Sequence, residues 1–430
     1  VESSLPIVQQ EVHLKRFLRV RYIVLGFLCL MYCITYIDRV NISVAAPLLR
    51  KELELSATQL GFVFSVFAYP YAAMQIVGGW LADKYGPRWV LMLLCVLWSV
   101  ATALTGLTWG LASLIVFRVL LGIGEGGAFP TATRAMSFWY PVRERGFAQG
   151  VTHSFARLGG AVTPPIVLAI TLAYSWRVSF VVLGIASAIW AIAWFWYYRN
   201  TPAEHKRVTA RELDEIGAGT PAGPAKLPTP WRELIGKMWL VTWVDFCYGW
   251  SLWVFLTWLP SYLADARGFK LKEMALFAAL PLLAGVIGDT VGGVVSDFVY
   301  RRTRNLRVAR CGVLVFGLLS SLAFILPAIS VESPYSAVYL LSASFFCLEL
   351  TNAVLWSLPM DIAGRFAGTA GGMMNTGFGV AGMISPLAFG FLIQRTGSYT
   401  APFMLSAALL FIGALSALWI NPQRKLVDAA

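Results

Sequence analysis

Three pairs of ionisable residues stand inside otherwise apolar runs, and their types and spacing invite chemistry. Asp38 and Arg39 are adjacent in "YIDRVN", Arg118 and Glu125 are seven apart in "RVLLGIGEGG", and His153 and Arg157 are four apart in "HSFAR". A carboxylate withdrawn from water gains a proton more readily, while a neighbouring guanidinium pulls it back, so a small rearrangement can switch its charge. A guanidinium also presents a planar fork that matches a carboxylate. The chemistry on offer is proton exchange by Asp38 and Glu125 under the influence of Arg118, and anion recognition by Arg39. Plainer readings stand beside these. Arg118 and Glu125 lie on nearly one helical face and can form a static clamp, and His153 can be a packing residue in an apolar helix.

The same stretch carries G-x-G-x-x-G at Gly122, Gly124 and Gly127. A dinucleotide loop has to follow a strand and open a helix. This one follows "LASLIVFRVLL" and continues into "AFPTATRAM" without interruption. The glycines therefore read as small residues that let helices approach closely in a membrane.

Elements must hold these charges, and composition says what kind. The chain is 58% hydrophobic and 13% charged, against roughly 45–50% and 25% in soluble proteins. A mean hydropathy of +0.68 and 17 tryptophans point the same way, since indoles collect at membrane interfaces. The net charge of +12 comes without a basic helix or an aromatic RNA-binding strand, which excludes nucleic acid as a partner. The six cysteines fall in apolar runs with no C-x-x-C pair, so neither a disulfide framework nor a zinc site is indicated. No H-E-x-x-H or G-x-S-x-G suggests an intramembrane hydrolase. The first apolar run is too long for the core of a cleavable signal.

Apolar windows of membrane-crossing length give twelve spans, near 22–48, 57–82, 89–108, 111–139, 147–172, 178–198, 238–263, 274–300, 308–328, 335–361, 367–394 and 401–421. The expected fold is an all-α membrane protein of twelve transmembrane helices in two pseudo-symmetric six-helix bundles. Its parts are a tail over 1–21, a bundle over 22–198, a polar linker rich in Pro and Gly over 199–237, a second bundle over 238–421 and a tail over 422–430. Most of the 34 lysines and arginines fall on the side of the linker and termini, which places both ends in the cytoplasm.

The halves echo each other. "GVTHSFARLGGAVTPPI" aligns without gaps on "GMMNTGFGVAGMISPLA", and "GGWLADKYGPR" on "GGVVSDFVYRR". Carriers use such repeats to build two bundles that rock about a midplane site.

"GGWLADKYGPR", with Gly79, Asp83, Gly86 and Arg88 in its key places, resembles the signature loop of the major facilitator superfamily. Its weaker copy carries Asp297, which reads with them as a gating residue. More narrowly, "YIDRVNISVAAP", "FWYPVRERG", "FLTWLPSYL" and "SLPMDIAGRFAGTAGGMMNTGFGVAGMISP" resemble the anion:cation symporter family. The resemblance covers nearly the whole chain except the first 20 or so residues and the linker. It implies a bacterial inner-membrane carrier, acting as a monomer, that imports a small organic anion with protons and needs no other cofactor. Sugar acids (aldonates, hexuronates, aldarates) are the expected substrates.

On this reading Arg39 and Tyr36 face the cavity, while Asp38 turns toward Arg118 and Glu125. The resemblance also implies a substrate contact at Tyr71. Gln75, Asn352 and Trp356 join it as candidates on one-turn spacing, and Asn375 as the repeat partner of His153. His153 and Arg157 depart from the family's commoner pattern. The extra cation at Arg157 can serve a second anionic group on the substrate or a new partner for Glu125, and both stay open. Asp289 and Asp297 read as structural at the inner gate, and Asp245 and Glu349 have no assignment. An anion exchanger or uniporter on the same fold is the main rival. A drug exporter fits poorly with three deep arginines.

Overall fold

A computed structural model describes residues 19–55, 59, 62–63, 66–217, 228–259 and 262–426. Most of the expected N-terminal tail lies outside them, as do 218–227 of the linker, parts of the second and seventh spans and the last four residues. The described residues are almost entirely helical, with no strand among them.

In the first half, α1 (Val20–Glu52), α2 (Ala68–Tyr85) and α3 (Pro87–Thr105) are the first three spans. The fourth is two helices, α4 (Leu111–Gly126) and α5 (Ala128–Trp139), broken at Gly127, and α6 (Arg145–Ala173) and α7 (Trp176–Tyr197) complete the half. A short α8 (Ala210–Ile216) lies in the linker. The second half runs through α9 (Trp231–Thr257), α10 (Leu271–Thr303) and α11 (Leu306–Ser330). Its fourth span is again broken, into α12 (Pro334–Glu349) and α13 (Asn352–Ala363), and α14 (Ala367–Thr396) and α15 (Thr400–Ala417) follow. Side-chain oxygens of Ser175, Asn305 and Ser333 accept from the first free amides of α7, α11 and α12, as N-caps do.

Among the described residues, nine stretches are long and apolar enough to cross a bilayer by length and composition alone, and one of them, Pro334–Ile393, covers two spans. The spans that fall short are α2 and α6. Both lie against the opposite half, α2 along α14 and α6 along α10, so their polar residues face protein and cavity rather than lipid.

Those two seams are packed backbone to backbone. A Cβ at Gly79 would run into the carbonyl oxygen of Gly368, and one at Gly293 into that of Gly146. The two contacts are equivalents under the internal repeat.

The linker is attached to the first half. Glu212 of α8 accepts from the free amides of Val20 (3.3 Å) and Arg21 (2.9 Å) at the start of α1. Glu215 pairs with Arg19 and with Arg21, and Arg21 also reaches Glu144 at 3.2 Å. Burial opposes ionisation of Glu215, but the Arg19 hydrogen bond and the charges of Arg19, Arg21 and Arg211 together outweigh it and hold its carboxyl below the usual range.

Candidate functional site

The centre of the molecule holds two arginine–glutamate pairs. Arg39 on α1 donates from Nε to Glu125 Oε2 at 2.6 Å. Its guanidinium carbon also lies 4.6 to 5.4 Å from the ring centres of Tyr36, Phe67, Tyr71 and Phe129, a box that favours a cation. Arg39 Nη2 and Glu125 Oε1 are buried with no hydrogen-bond partner among the described residues. One fork of the arginine and one oxygen of the glutamate are thus left over.

The expected pairing differs. Arg118, not Arg39, shares a helical face with Glu125, yet Arg118 Nε donates to the Val63 carbonyl (3.3 Å) and its guanidinium lies over Phe67. Asp38 does not reach Arg118 or Glu125 through a hydrogen bond. It turns to α7, where Ser187 Oγ donates to its Oδ2 at 3.4 Å, and its Oδ1 has no partner among the described residues. Spacing along one helix fixes a face, and packing of the next helix decides which charge meets it.

The second pair crosses between the halves. Arg157 on α6 donates from Nη2 to both oxygens of Glu349 at 3.2 and 3.1 Å and to the Tyr248 hydroxyl at 3.2 Å. Its Nη1 donates to the Tyr36 hydroxyl at 2.7 Å, and its Nε lies 3.7 Å from Asp289 Oδ2. The partner of the extra cation is therefore Glu349, helped by Asp289, and not Glu125. Asp289 moves from the gate to the centre, where Asn352 Nδ2 donates to its Oδ1 at 2.7 Å.

A small cavity lies between the halves, lined among others by Tyr36, Tyr71, His153, Arg157, Asn352, Trp356 and Asn375. Asp245, unassigned from sequence, lines it too while its Oδ2 accepts from the Phe378 amide at 3.1 Å. Gln75 stands one layer behind, its Oε1 accepting from Asn375 Nδ2 at 2.8 Å. Arg39 is also behind the lining, screened by Tyr36, Tyr71 and Phe129. His153 packs its ring against Tyr32 and Trp356, with Nε2 unpartnered among the described residues.

The residues singled out in the sequence, Arg39, Arg118 and Arg157 against Asp38 and Glu125, would leave the centre positive, and the structure reverses that balance. Against Arg39, Arg118 and Arg157 stand Asp38, Glu125, Asp245, Asp289 and Glu349, all buried. Fully ionised, the centre is negative rather than positive and resists an anion until carboxylates gain protons or turn away.

On the linker side the seams are latched symmetrically. Asp83 accepts from the Gly368 (3.0 Å) and Thr369 (2.6 Å) amides at the start of α14, with Arg134 Nε 3.1 Å away. Asp297 accepts from the Gly146 (3.3 Å) and Phe147 (2.8 Å) amides at the start of α6, with Arg310 Nη1 at 2.9 Å. Each half thus offers a carboxylate to a helix N-terminus of the other, where free amides and the helix dipole favour it. Arg145 and Arg310 also share Asp361 across the same face. Gly86 and Arg88 work within their own half instead. Gly86 turns the chain at φ +85°, and Arg88 meets Asn200 and the Phe195 carbonyl. Arg134, Arg145, Arg310 and Asp361 escaped the sequence reading because three sit at span ends, where charges are usually solvated. "FWYPVRERG" and "SLPMDIAGR" contained Arg145 and Asp361, and charged residues repeated within ordered motifs were the available signal.

We expect Asp83→Asn and Asp297→Asn each to weaken linker-side closure by about 1–3 kcal/mol, since each removes a charged acceptor from two amides. Spin labels on the exposed ends at Lys84 and Arg302 should then report a broader, longer distance distribution. An unchanged distribution in the double variant would remove the latch role.

Residues 28–386 match the Major Facilitator Superfamily, and the chain belongs to it. It is a multi-pass membrane transporter. The chain is 64% identical over 411 residues to a probable sulfoacetate transporter, SauU, of Cupriavidus necator, covering 95% of this chain and 96% of that one. It is 37% identical over 396 residues to the hexuronate transporter of Bacillus subtilis (91% and 93% covered) and 34% over 411 residues to a D-galactonate transporter of Escherichia coli (93% and 95%). Among solved structures, the proton:xylose symporter XylE matches with a TM-score of 0.74 at 14% identity, over 93% of this chain and 96% of that one. That likeness concerns the fold.

Proposed function

We propose that the chain is a proton-coupled symporter that imports a short organic anion by alternating access. It works as a monomer in the bacterial inner membrane with the linker side in the cytoplasm. The observation that carries the reading is Arg39 held by Glu125 beside the cavity between the halves. With Glu125 ionised, Arg39 is occupied; with Glu125 protonated, the arginine is released to the substrate's anionic group. Proton and anion therefore favour each other's binding, and by linkage the effect is reciprocal. Asp38, within the electrostatic reach of Glu125 and Arg39, is the second proton-carrying candidate, with Arg118 balancing both.

The relatives and the lining together support a substrate class. The 64% relative is named for sulfoacetate, and a small cavity lined by aromatic rings favours a short anion over a bulky one. A sugar acid is the second reading, favoured by the amides of Asn352 and Asn375 in the lining and by the hexuronate and galactonate relatives. Uptake of labelled sulfoacetate into proteoliposomes, with and without an inward proton gradient, separates these. Gradient-driven accumulation, displaced by unlabelled sulfoacetate more strongly than by glucuronate or galactonate, is the expected result. Uptake indifferent to the gradient would make the protein an exchanger or uniporter, and the opposite ranking would restore the sugar acids.

A further inference from the structure

We infer that Arg157 is a second anion seat, taking the second charged group of a dianionic substrate when Glu349 releases it. The inference rests on the reading of the chain as an organic-anion symporter and extends it to the number of charges the substrate carries.

The first support is a symmetry that no motif announced. Glu125 is the penultimate residue of α4, and Glu349 is the last residue of α12. These are the first pieces of the two broken spans, so each glutamate stands beside a helix break in the corresponding place of its half. Each interruption is only one or two residues long and keeps a right-handed backbone, and irregular turns inside membrane spans are tolerated where they border a cavity. Each glutamate also holds one arginine, Arg39 in one case and Arg157 in the other. If the first pair is a switch between internal and substrate anions, the second has the same parts.

The second support is position. Arg157 is the arginine that lines the cavity, and it is about one-twentieth exposed. Both guanidinium carbons lie near the ring centre of Tyr36, Arg39 at 5.2 Å and Arg157 at 5.5 Å. Their separation cannot exceed those two distances end to end. A two-carbon dianion has charged centres about 3 Å apart, and each charge-assisted N–H···O contact adds roughly 3 Å. A short dianion is thus of the length needed to engage both arginines once Tyr36, which now screens Arg39 from the cavity, turns aside.

The third support is charge. Facing Arg157 are Tyr36 from α1, Tyr248 from α9, Asp289 from α10 and Glu349 from α12, with His153 on its own helix. Two carboxylates compete for one guanidinium, so an incoming anion needs a proton on one of them. Glu349 also receives the Tyr248 hydroxyl at 3.0 Å, and Asp289 keeps its Asn352 bond. Protonated Glu349 can thus remain hydrogen-bonded while Arg157 turns to substrate. Because Arg157 belongs to one half and both carboxylates to the other, the exchange also loosens a contact between the halves.

Sulfoacetate and isethionate test this, since they share a sulfonate and differ in a carboxylate against a neutral hydroxymethyl group. Affinities are measured on purified protein in nanodiscs by calorimetry between about pH 6 and 8, where the carboxylate of free sulfoacetate is ionised. Wild type is expected to prefer sulfoacetate by about tenfold or more near pH 6. The dependence of log Kd on pH should be steeper for sulfoacetate by up to one proton. Glu349→Gln should remove that extra slope, and Arg157→Gln combined with Glu349→Gln, which keeps the pair neutral, should remove the preference. Equal affinities and slopes for the two anions on wild type would overturn the second seat while leaving the symporter reading intact. Failure of wild type to bind either anion would overturn the short-sulfonate reading of the substrate and the second seat with it, and would leave the sugar acids. The wild-type comparison decides the matter even if the variants fold poorly.

Discussion

Glu125→Gln is expected to lose proton-driven accumulation by at least about tenfold while retaining exchange of labelled for unlabelled substrate. Glutamine keeps the volume of the protonated acid but cannot hold Arg39 as a charged partner. With substrate aboard, the substrate's anion supplies that charge, so the loaded carrier can still reorient. Without substrate, Arg39 would remain as a largely desolvated cation without its ion-pair partner, a state that costs a few kcal/mol. The return of the unloaded protein should then limit turnover, and the affinity for substrate should lose the pH dependence that Glu125 confers. Both transport modes are read in proteoliposomes with an imposed pH gradient and without one. Uphill uptake at the wild-type rate would return Glu125 to a static partner of Arg39 and leave Asp38 to carry the proton.

Arg39→Lys is the second large effect, a loss of substrate affinity of about 2–4 kcal/mol, or roughly 30- to 1,000-fold. An ammonium keeps the charge but loses the fork, and the present geometry shows what the fork is for. Nε is already committed to Glu125 while Nη2 is without a partner among the described residues. A group with two faces can be handed from one carboxylate to another anion without passing through a bare state. A point charge surrounded by Tyr36, Phe67, Tyr71 and Phe129 lacks that second face and is more strongly hydrated. Direct binding on folded protein checks it, and wild-type affinity in the lysine variant would move the primary seat elsewhere, with Arg157 the next residue to examine.

The sequence made the architecture legible because its signals are local. Apolar runs of bilayer length, the polar stretch after Tyr198 and the repeated Gly-Gly-x-x-x-Asp pattern each lie within a short window. Asp83 and Asp297 could be read as a related pair from that pattern alone. The partners of the deep charges were not legible in this way. Arg118 and Glu125 share a face, yet α1 brings Arg39 to the glutamate first, and nothing in the spacing of α4 reports where α1 lies. Glu349 and Asp289 carried no motif, and only the fold sets them against Arg157, which comes from the other half of the chain. That omission reversed the sign of the charge at the centre. The G-x-G-x-x-G of the fourth span shows the converse. Its three glycines match a familiar pattern by accident, and the break at Gly127 beside Glu125 is what the stretch contributes.

The hold of α8 on the first helix bears on where this polypeptide could be divided in two. Glu212 and Glu215 fasten the early linker to residues 19–21, so that segment belongs structurally to the N-terminal bundle although it follows the last span of that bundle. A fragment ending directly after Asn200 would strand the amides of Val20 and Arg21. One ending beyond Gly217 would carry its own clasp, and the boundary between separately expressible pieces therefore lies nearer the second bundle than the change in composition implies.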